Sequence, residues 1–293
     1  MARAAYFDTN VFDHIYKKLH GITEADESTL RSLVRAGTVS IPLSILNLEE
    51  TLLLLERETR RDLVKAELQL ILDLADWQRM AKEPKQLLSD DITSYAQGSA
   101  ASSPFIEEAR LRKIHAGIRE TLLNLGPQSI SELLGAVSET KTQIAEFKQG
   151  MDKGQEKLSP LVEKLRNEGQ RPPRFDQWWE RLAVGLAEGF AERVGILDAY
   201  REHGIRDLLK VRSVQMAVGA SLSLIYAQTF EGRKPKPSDS RDILHAAAAP
   251  ATADMLVTHD QEFARLLPRI SVSDLQVGTL HDLLKQIPKR EVS

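Results

Sequence analysis

The chain has 293 residues, 42% of them hydrophobic and 28% charged, with no cysteine and a formal net charge of −3. That length exceeds the usual single domain, so one enlarged domain or a core carrying an inserted unit is expected. The lack of cysteine excludes disulfides, thiolate-held zinc and thiol catalysis and fits a reducing cytoplasm, while the small net charge leaves any nucleic-acid binding to local basic patches.

Residues 4 to 8, Ala-Ala-Tyr-Phe-Asp, form a short apolar run ending in Asp8-Thr9-Asn10, the pattern of a buried first strand opening into a turn. A helix with a polar break near Gly21 follows, then a second near 24 to 36, then the β-branched run 38 to 44. Ser44 is placed to cap a Leu-rich helix from 45 to 55, which the pattern continues or resumes through 60 to 80. This alternation of strand and helix predicts an α/β fold with a parallel sheet. From 85 to 204 only amphipathic helical stretches appear, punctuated at Pro104, Gly126-Pro127, Gly154, Pro160 and Pro172-Pro173, so this stretch is expected to be an all-helical insertion. Ile130, Leu133, Val137, Thr140, Ile144, Phe147 and Met151 follow 3-4 spacing within it, as in a long helix packed lengthwise on a partner. A helix near 205 to 228, a loop at 231 to 240, an Ala-rich helix from 241, a strand at 254 to 258, a short helix, a strand at 269 to 273 and a closing helix complete the pattern. No apolar run reaches the roughly 20 residues of a membrane span and no signal core opens the chain, so a soluble, non-exported, cytoplasmic protein is expected.

Four acids stand where four loops can bring them together: Asp8, Glu50, Asp242 and Asp260. Carboxylates gathered against their repulsion are held by a hard divalent cation, and Mg²⁺ or Mn²⁺ prefers oxygen ligands. The first expectation is therefore a metal-dependent enzyme acting on phosphate esters. Each acid also has an ordinary reading. Asp8 ends a strand, where Asp, Thr and Asn bond local backbone. Glu50 competes with Glu49, which points about 100° away on the helix, and shares its face with Leu46, Leu53 and Leu54, so it needs a metal or a partner such as Arg57. Asp239 and Asp242 lie at a helix N-terminus, where the dipole stabilises them without function, yet their spacing puts both on one face. Asp260 precedes a helix and is placed to cap it.

The order of these segments resembles the PIN-domain family of nucleases, which includes the toxin halves of bacterial toxin–antitoxin pairs. The residues that carry the resemblance are Asp8-Thr9-Asn10 at the first strand end, Glu50 six residues after Ser44, Asp242-Ile243-Leu244 followed by His245 and Ala246 to Ala249, and Leu256 to Asp260 with Phe263. It covers 1 to 84 and 205 to 293; toxin-type members lack so long an insertion at 85 to 204. The resemblance implies a three-layer PIN-like core and hydrolysis of RNA phosphodiesters, with one or two Mg²⁺ or Mn²⁺ ions held by Asp8, Glu50, Asp242 and Asp260 and with 5′-phosphate and 3′-hydroxyl products. Thr9, Asn10, Asp239 and Thr258 are the implied supporting residues, and an inhibitory antitoxin-like protein and a homodimer the implied partners. Its rivals are a flap-endonuclease-like DNA nuclease and a catalytically silent PIN-like scaffold. A haloacid-dehalogenase-type phosphatase wants an acid where Asn10 stands.

Other features weigh less. His245 on its Ala-rich helix is expected to be a packing residue more often than a base. The segment Arg171 to Arg181, with Phe175, Trp178 and Trp179, can stack on single-stranded bases or anchor the insertion to the core. Arg233, Lys234 and Lys236 stand near enough to Asp239 and Asp242 to steer phosphate.

Overall fold

Strand β1, Arg3–Phe7, is buried on both faces: Ala5 and Phe7 enter one hydrophobic cluster, Ala4 and Tyr6 another on the opposite side. Such two-sided burial requires a central strand of a parallel sheet. The computed structural model describes residues 2–56, 60–100, 102–123, isolated positions between 142 and 169, 171–195, 197–203, 205–269 and 275–287. In it β1 lies in parallel between β2, Val39–Ser40, and β5, Met255–Val257, with β6, Gln276–Gly278, beyond β5. The order β2-β1-β5-β6 places the carboxyl ends of β1 and β5 side by side. The strand end of one carries Asp8, that of the other Thr258 and Asp260.

The β-branched run 38 to 44 is divided. Its second half, β3 (Pro42–Leu43), pairs in parallel with β4, Asp76–Met80, rather than with β1. The sequence pattern predicts helix through β4, and here the structure differs: helix α4, Arg61–Leu74, stops, Ala75 turns to extended backbone, and Asp76 N donates to Ile41 O at 2.8 Å. No glycine or proline marks this change. The unpaired edge of β3 and the Ser40 hydroxyl, which donates to Asp76 Oδ2 at 2.8 Å, decide it. The strand expected at 269 to 273 falls largely on residues outside those described, and β6 begins three residues later.

Helices cover both faces. On one, α1 (Thr9–Lys17), α2 (Glu24–Arg35), α4 and the closing α12 (Leu280–Gln286) bury Val11, Phe12, Ile15, Leu30, Leu33, Leu68 and Leu283 against Phe7 and Val257. Helix α2 starts where Thr23 and Asp26 form a reciprocal capping box, and α3, Ile45–Leu52, starts at Ser44, whose hydroxyl accepts from Leu46 N at 3.2 Å. The cap predicted at Ser44 is present.

On the other face α9 (Arg212–Phe230) and α10 (Asp239–Thr252) pack closely through small residues, among them Ala220, Ala227, Ala246 and Ala249. Helix α5, Pro84–Ala96, adds Leu88 and Ile92 to a third cluster, to which α7, Phe175–Val194, contributes Trp178, Ala183, Ala187 and Ala191. The Trp178 ring meets Phe230 edge-on at 5.2 Å and Tyr226 at 6.2 Å. Trp178 is thus an anchor of α7 on α9. Helices α6 (Glu108–Leu123), α8 (Leu197–His203) and α11 (Gln261–Leu266) complete the α-helices with described bounds, beside short 3-10 turns at Leu53–Glu56, Ile205–Lys210 and Leu267–Arg269. The long helix expected from 130 to 151 lies outside the described residues. No helix among the described residues is long and apolar enough to cross a membrane.

Candidate metal centre

Asp8 is the first residue beyond β1 and the N-cap of α1; its backbone N–H donates to Val257 O at 3.0 Å, which fixes the strand end. Its side chain does not cap the helix. Oδ2 accepts instead from Asn10 Nδ2 at 2.6 Å and Thr258 Oγ1 at 2.8 Å. Asn10 also accepts the His259 N–H at 3.2 Å, so it ties the β1 turn to the β5 turn. Thr9 lies under Asn47, whose amide donates to Thr9 Oγ1 at 3.1 Å and to Phe7 O at 3.0 Å.

The two adjacent glutamates of α3 separate. Glu50 Oε2 lies 3.3 Å from His245 Nε2, whereas Glu49 Oε2 accepts from Arg241 Nη1 at 2.7 Å. Glu50 thus belongs to the acidic cluster and Glu49 to an ion pair at its edge; Arg57, the alternative partner, is outside the described residues. Asp242, in the first turn of α10, accepts no hydrogen bond among the described residues and lines the same cleft.

His245 is buried among these acids. Its Nε2 faces Glu50 and stands 3.8 Å from Asp8 Oδ1, and its Nδ1 lies 2.8 Å from the Tyr6 hydroxyl. Burial alone would discharge this imidazole, but Glu50, Asp8 and Asp242 outweigh it and raise its pKa. The same contact acts on its partners. Burial pushes Asp8 upward, His245 opposes and Glu50 adds to the rise. For Glu50 burial also pushes upward, yet His245, Thr9 and Arg241 together hold it below the ordinary glutamate value. Asp242 is raised well above its ordinary value by burial and then by Asp8, with His245 again opposing. One imidazolium can offset one carboxylate; three surround it. Asp8, Glu50 and His245 each offer a ligand atom within 4.8 Å of the others, a group able to hold a metal ion.

The cap foreseen at Asp260 is present, and the residue also stands at the cleft. Oδ1 accepts from Glu262 N at 2.8 Å and Phe263 N at 2.9 Å, capping α11, while the residue lines the cleft with the other three acids. Asp239 does not line it. It is buried against Arg233, which donates to its two oxygens at 2.7 and 2.5 Å, and it also accepts from Lys236 N at 2.9 Å. Arg233 donates further to Glu262 at 2.6 Å, and Lys236 pairs with Glu262 as well. Two of the three cations expected to steer phosphate, Arg233 and Lys236, are therefore committed to carboxylates; Lys234, like Lys236, is exposed.

The cleft measures about 400 Å³ and is walled by Leu53, Leu54 and Pro237 between the acids. A second cleft of about 380 Å³, at Lys18, Glu27, Arg31 and Asp73, holds charges that satisfy each other, with Arg31 bridging Glu27 and Asp73 at 2.8 and 3.1 Å. His245, expected from the sequence to be a packing residue more often than a base, is buried but lies among the acids; it is three residues after Asp242, on the same helical face. Asn47 carried no signal, because its role depends on where the β1 carbonyl arrives. Comparison with protein-family models, curated proteins and solved structures returns no significant match to the chain.

Proposed function

We propose that this protein is a metal-dependent phosphodiesterase, an endoribonuclease with a PIN-like core of parallel sheet between helical layers. One observation carries the reading: Asp8, Glu50, Asp242 and Asp260, spread over 253 positions of the sequence, line one cleft at the carboxyl edge of the sheet. Open α/β sheets bind their ligands at that edge. The donor set fits a divalent cation, since two carboxylates and an imidazole converge within 4.8 Å and the surrounding charge exceeds what His245 can neutralise. Asp8, Glu50 and His245 Nε2 would hold the ion. When bound, Mg²⁺ or Mn²⁺ supplies positive charge at the phosphoryl oxygens and acidity to water.

The chain's own groups do the rest. Asn10 and Thr258 hold Asp8 Oδ2, which leaves Oδ1 directed at His245. Tyr6, kept protonated by burial, fixes the imidazole plane through Nδ1; donation from Nδ1–H to the Tyr6 oxygen leaves the Nε2 lone pair available. Asp242, whose carboxylate accepts no hydrogen bond among the described residues, lines the cleft beside these groups and is placed to join the ion or to accept the proton of the attacking water. No covalent nucleophile is required. Asp260 Oδ2, free of the capping bonds, borders the space where a phosphodiester enters.

The test is incubation of labelled single-stranded RNA and matched DNA with pure protein and Mn²⁺ or Mg²⁺, with chelator and Asp8→Asn controls. Metal-dependent RNA cleavage lost in Asp8→Asn is the expected result. Preferential DNA cleavage would establish the flap-endonuclease-like alternative, and intact strands of both kinds would overturn the enzymatic reading in favour of a binding scaffold.

A further inference from the structure

Two more carboxyl groups line the cleft, Asp13 on α1 and Glu67 on α4, and neither belongs to the cluster around His245. Glu67 is only 3% exposed, and among the described residues no donor group hydrogen-bonds its buried Oε1. Across the same cleft lies the carboxyl of Asp13, whose Oδ1 shares the Lys17 ammonium with Glu67 Oε1 and is likewise buried. Two neighbouring carboxylates repel unless a proton or a metal cation lies between them. The nearest cation is Lys17, paired with Asp13 but 4.0 Å from Glu67 Oε1, beyond hydrogen-bonding reach. Its side chain is 35% exposed.

We propose that Asp13 and Glu67 form a second divalent-cation site in the cleft, separate from the Asp8, Glu50 and His245 group. Mg²⁺ and Mn²⁺ commonly bind through one or two protein carboxylates, with waters and substrate phosphate oxygens completing the shell, and two carboxylates are what this pocket offers. Asp13 follows Asp8 by five residues of one helix, an advance of roughly 7.5 Å along its axis. A cation at Asp13 therefore sits beside the first site, where a strand lying along the cleft presents further phosphate. Only this last step, the phosphate that completes the shell, rests on the nuclease reading; the cation site itself does not. In the ion's absence a proton takes its place between the two carboxyls, and Lys17 supplies the remaining charge to Asp13.

Glu67→Gln separates the two occupants. The amide matches the protonated acid in shape and charge, so the fold is kept, but a ligand oxygen is lost. Mn²⁺ binding to the full chain is followed at pH 8 by the electron paramagnetic resonance of the free ion, with and without inorganic phosphate, for wild type, Glu67→Gln and Asp8→Asn. The expected result is two ions in wild type and one in each variant, with the site lost in Glu67→Gln at least about tenfold weaker. Circular dichroism confirms folding of each variant. Unchanged stoichiometry and affinity in Glu67→Gln would overturn the proposal and leave a proton as the sole occupant, as would a single wild-type ion abolished by Asp8→Asn alone. Loss of an ion in Glu67→Gln but none in Asp8→Asn would instead sink the metal centre at Asp8 while sustaining this one.

Discussion

Asp239→Ala distinguishes a structural acid from a catalytic one. The Asp239 carboxylate is 1% exposed and the Arg233 guanidinium 6%, joined by a bidentate pair, so truncation strands a buried positive charge. Removing one partner of such a pair costs about 3–5 kcal/mol. Glu262 remains on Arg233 Nε at 2.6 Å and is itself 27% exposed, so it compensates part of the loss. A cost of about 2–4 kcal/mol follows, which for a chain of this size lowers Tm by roughly 4–10 °C. Urea unfolding of wild type, Asp239→Ala, Arg233→Met and the double variant measures it, and the cycle should return a coupling of about 2 kcal/mol or more. Mn²⁺ stoichiometry should not change in Asp239→Ala. A variant within about 1 kcal/mol of wild type that had lost a bound ion would refute the reasoning and make Asp239 a ligand.

In the Glu67→Gln background, where the Asp8, Glu50 and His245 group alone is left to hold a cation, Mn²⁺ at about 100 times its Kd should raise stability by about 2.7 kcal/mol, read as a concentration-dependent Tm; adding Asp8→Asn should abolish most of this increment, and an equal increment with and without it would place the ion elsewhere. Burial, and then Asp13, push Glu67 up to about 8, so its contribution to stability is present in full below its ordinary value of 4.5 and is lost as pH rises through about 8. In chelator, Glu67→Gln should flatten that decline, gaining on the order of a few kcal/mol over wild type at pH 9, and parallel profiles would contradict the assigned protonation. Asn47 is 1% exposed and donates to both Phe7 O and Thr9 Oγ1, so Asn47→Leu should cost about 2–3 kcal/mol and weaken Mn²⁺ binding together; a loss of stability with undiminished ion affinity would show that the bridge supports the fold alone.

Much of the architecture was legible in the chain because it rests on local chemistry. Periodicity and caps announced β1, α2, the cap at Ser44, the Ala-rich α10 and the order of strand and helix, since burial on a sheet face imposes period two and burial of a helix stripe imposes period 3.6. The acids at positions 8, 50, 242 and 260 were visible as chemistry looking for a cation. Their meeting in one cleft depends on β1 lying beside β5, a pairing between residues 5–7 and 255–257 that no local pattern encodes. Tertiary contacts alone decided the rest. Strand β4 exists because β3 offers an unpaired edge, Glu49 and Glu50 part because Arg241 captures one and His245 the other, and Asp239 turns from the cleft because Arg233 reaches it first. In each case the residue type permits two fates of similar local energy, and the neighbour that arrives from a distant segment selects between them through a buried charge or an open backbone edge.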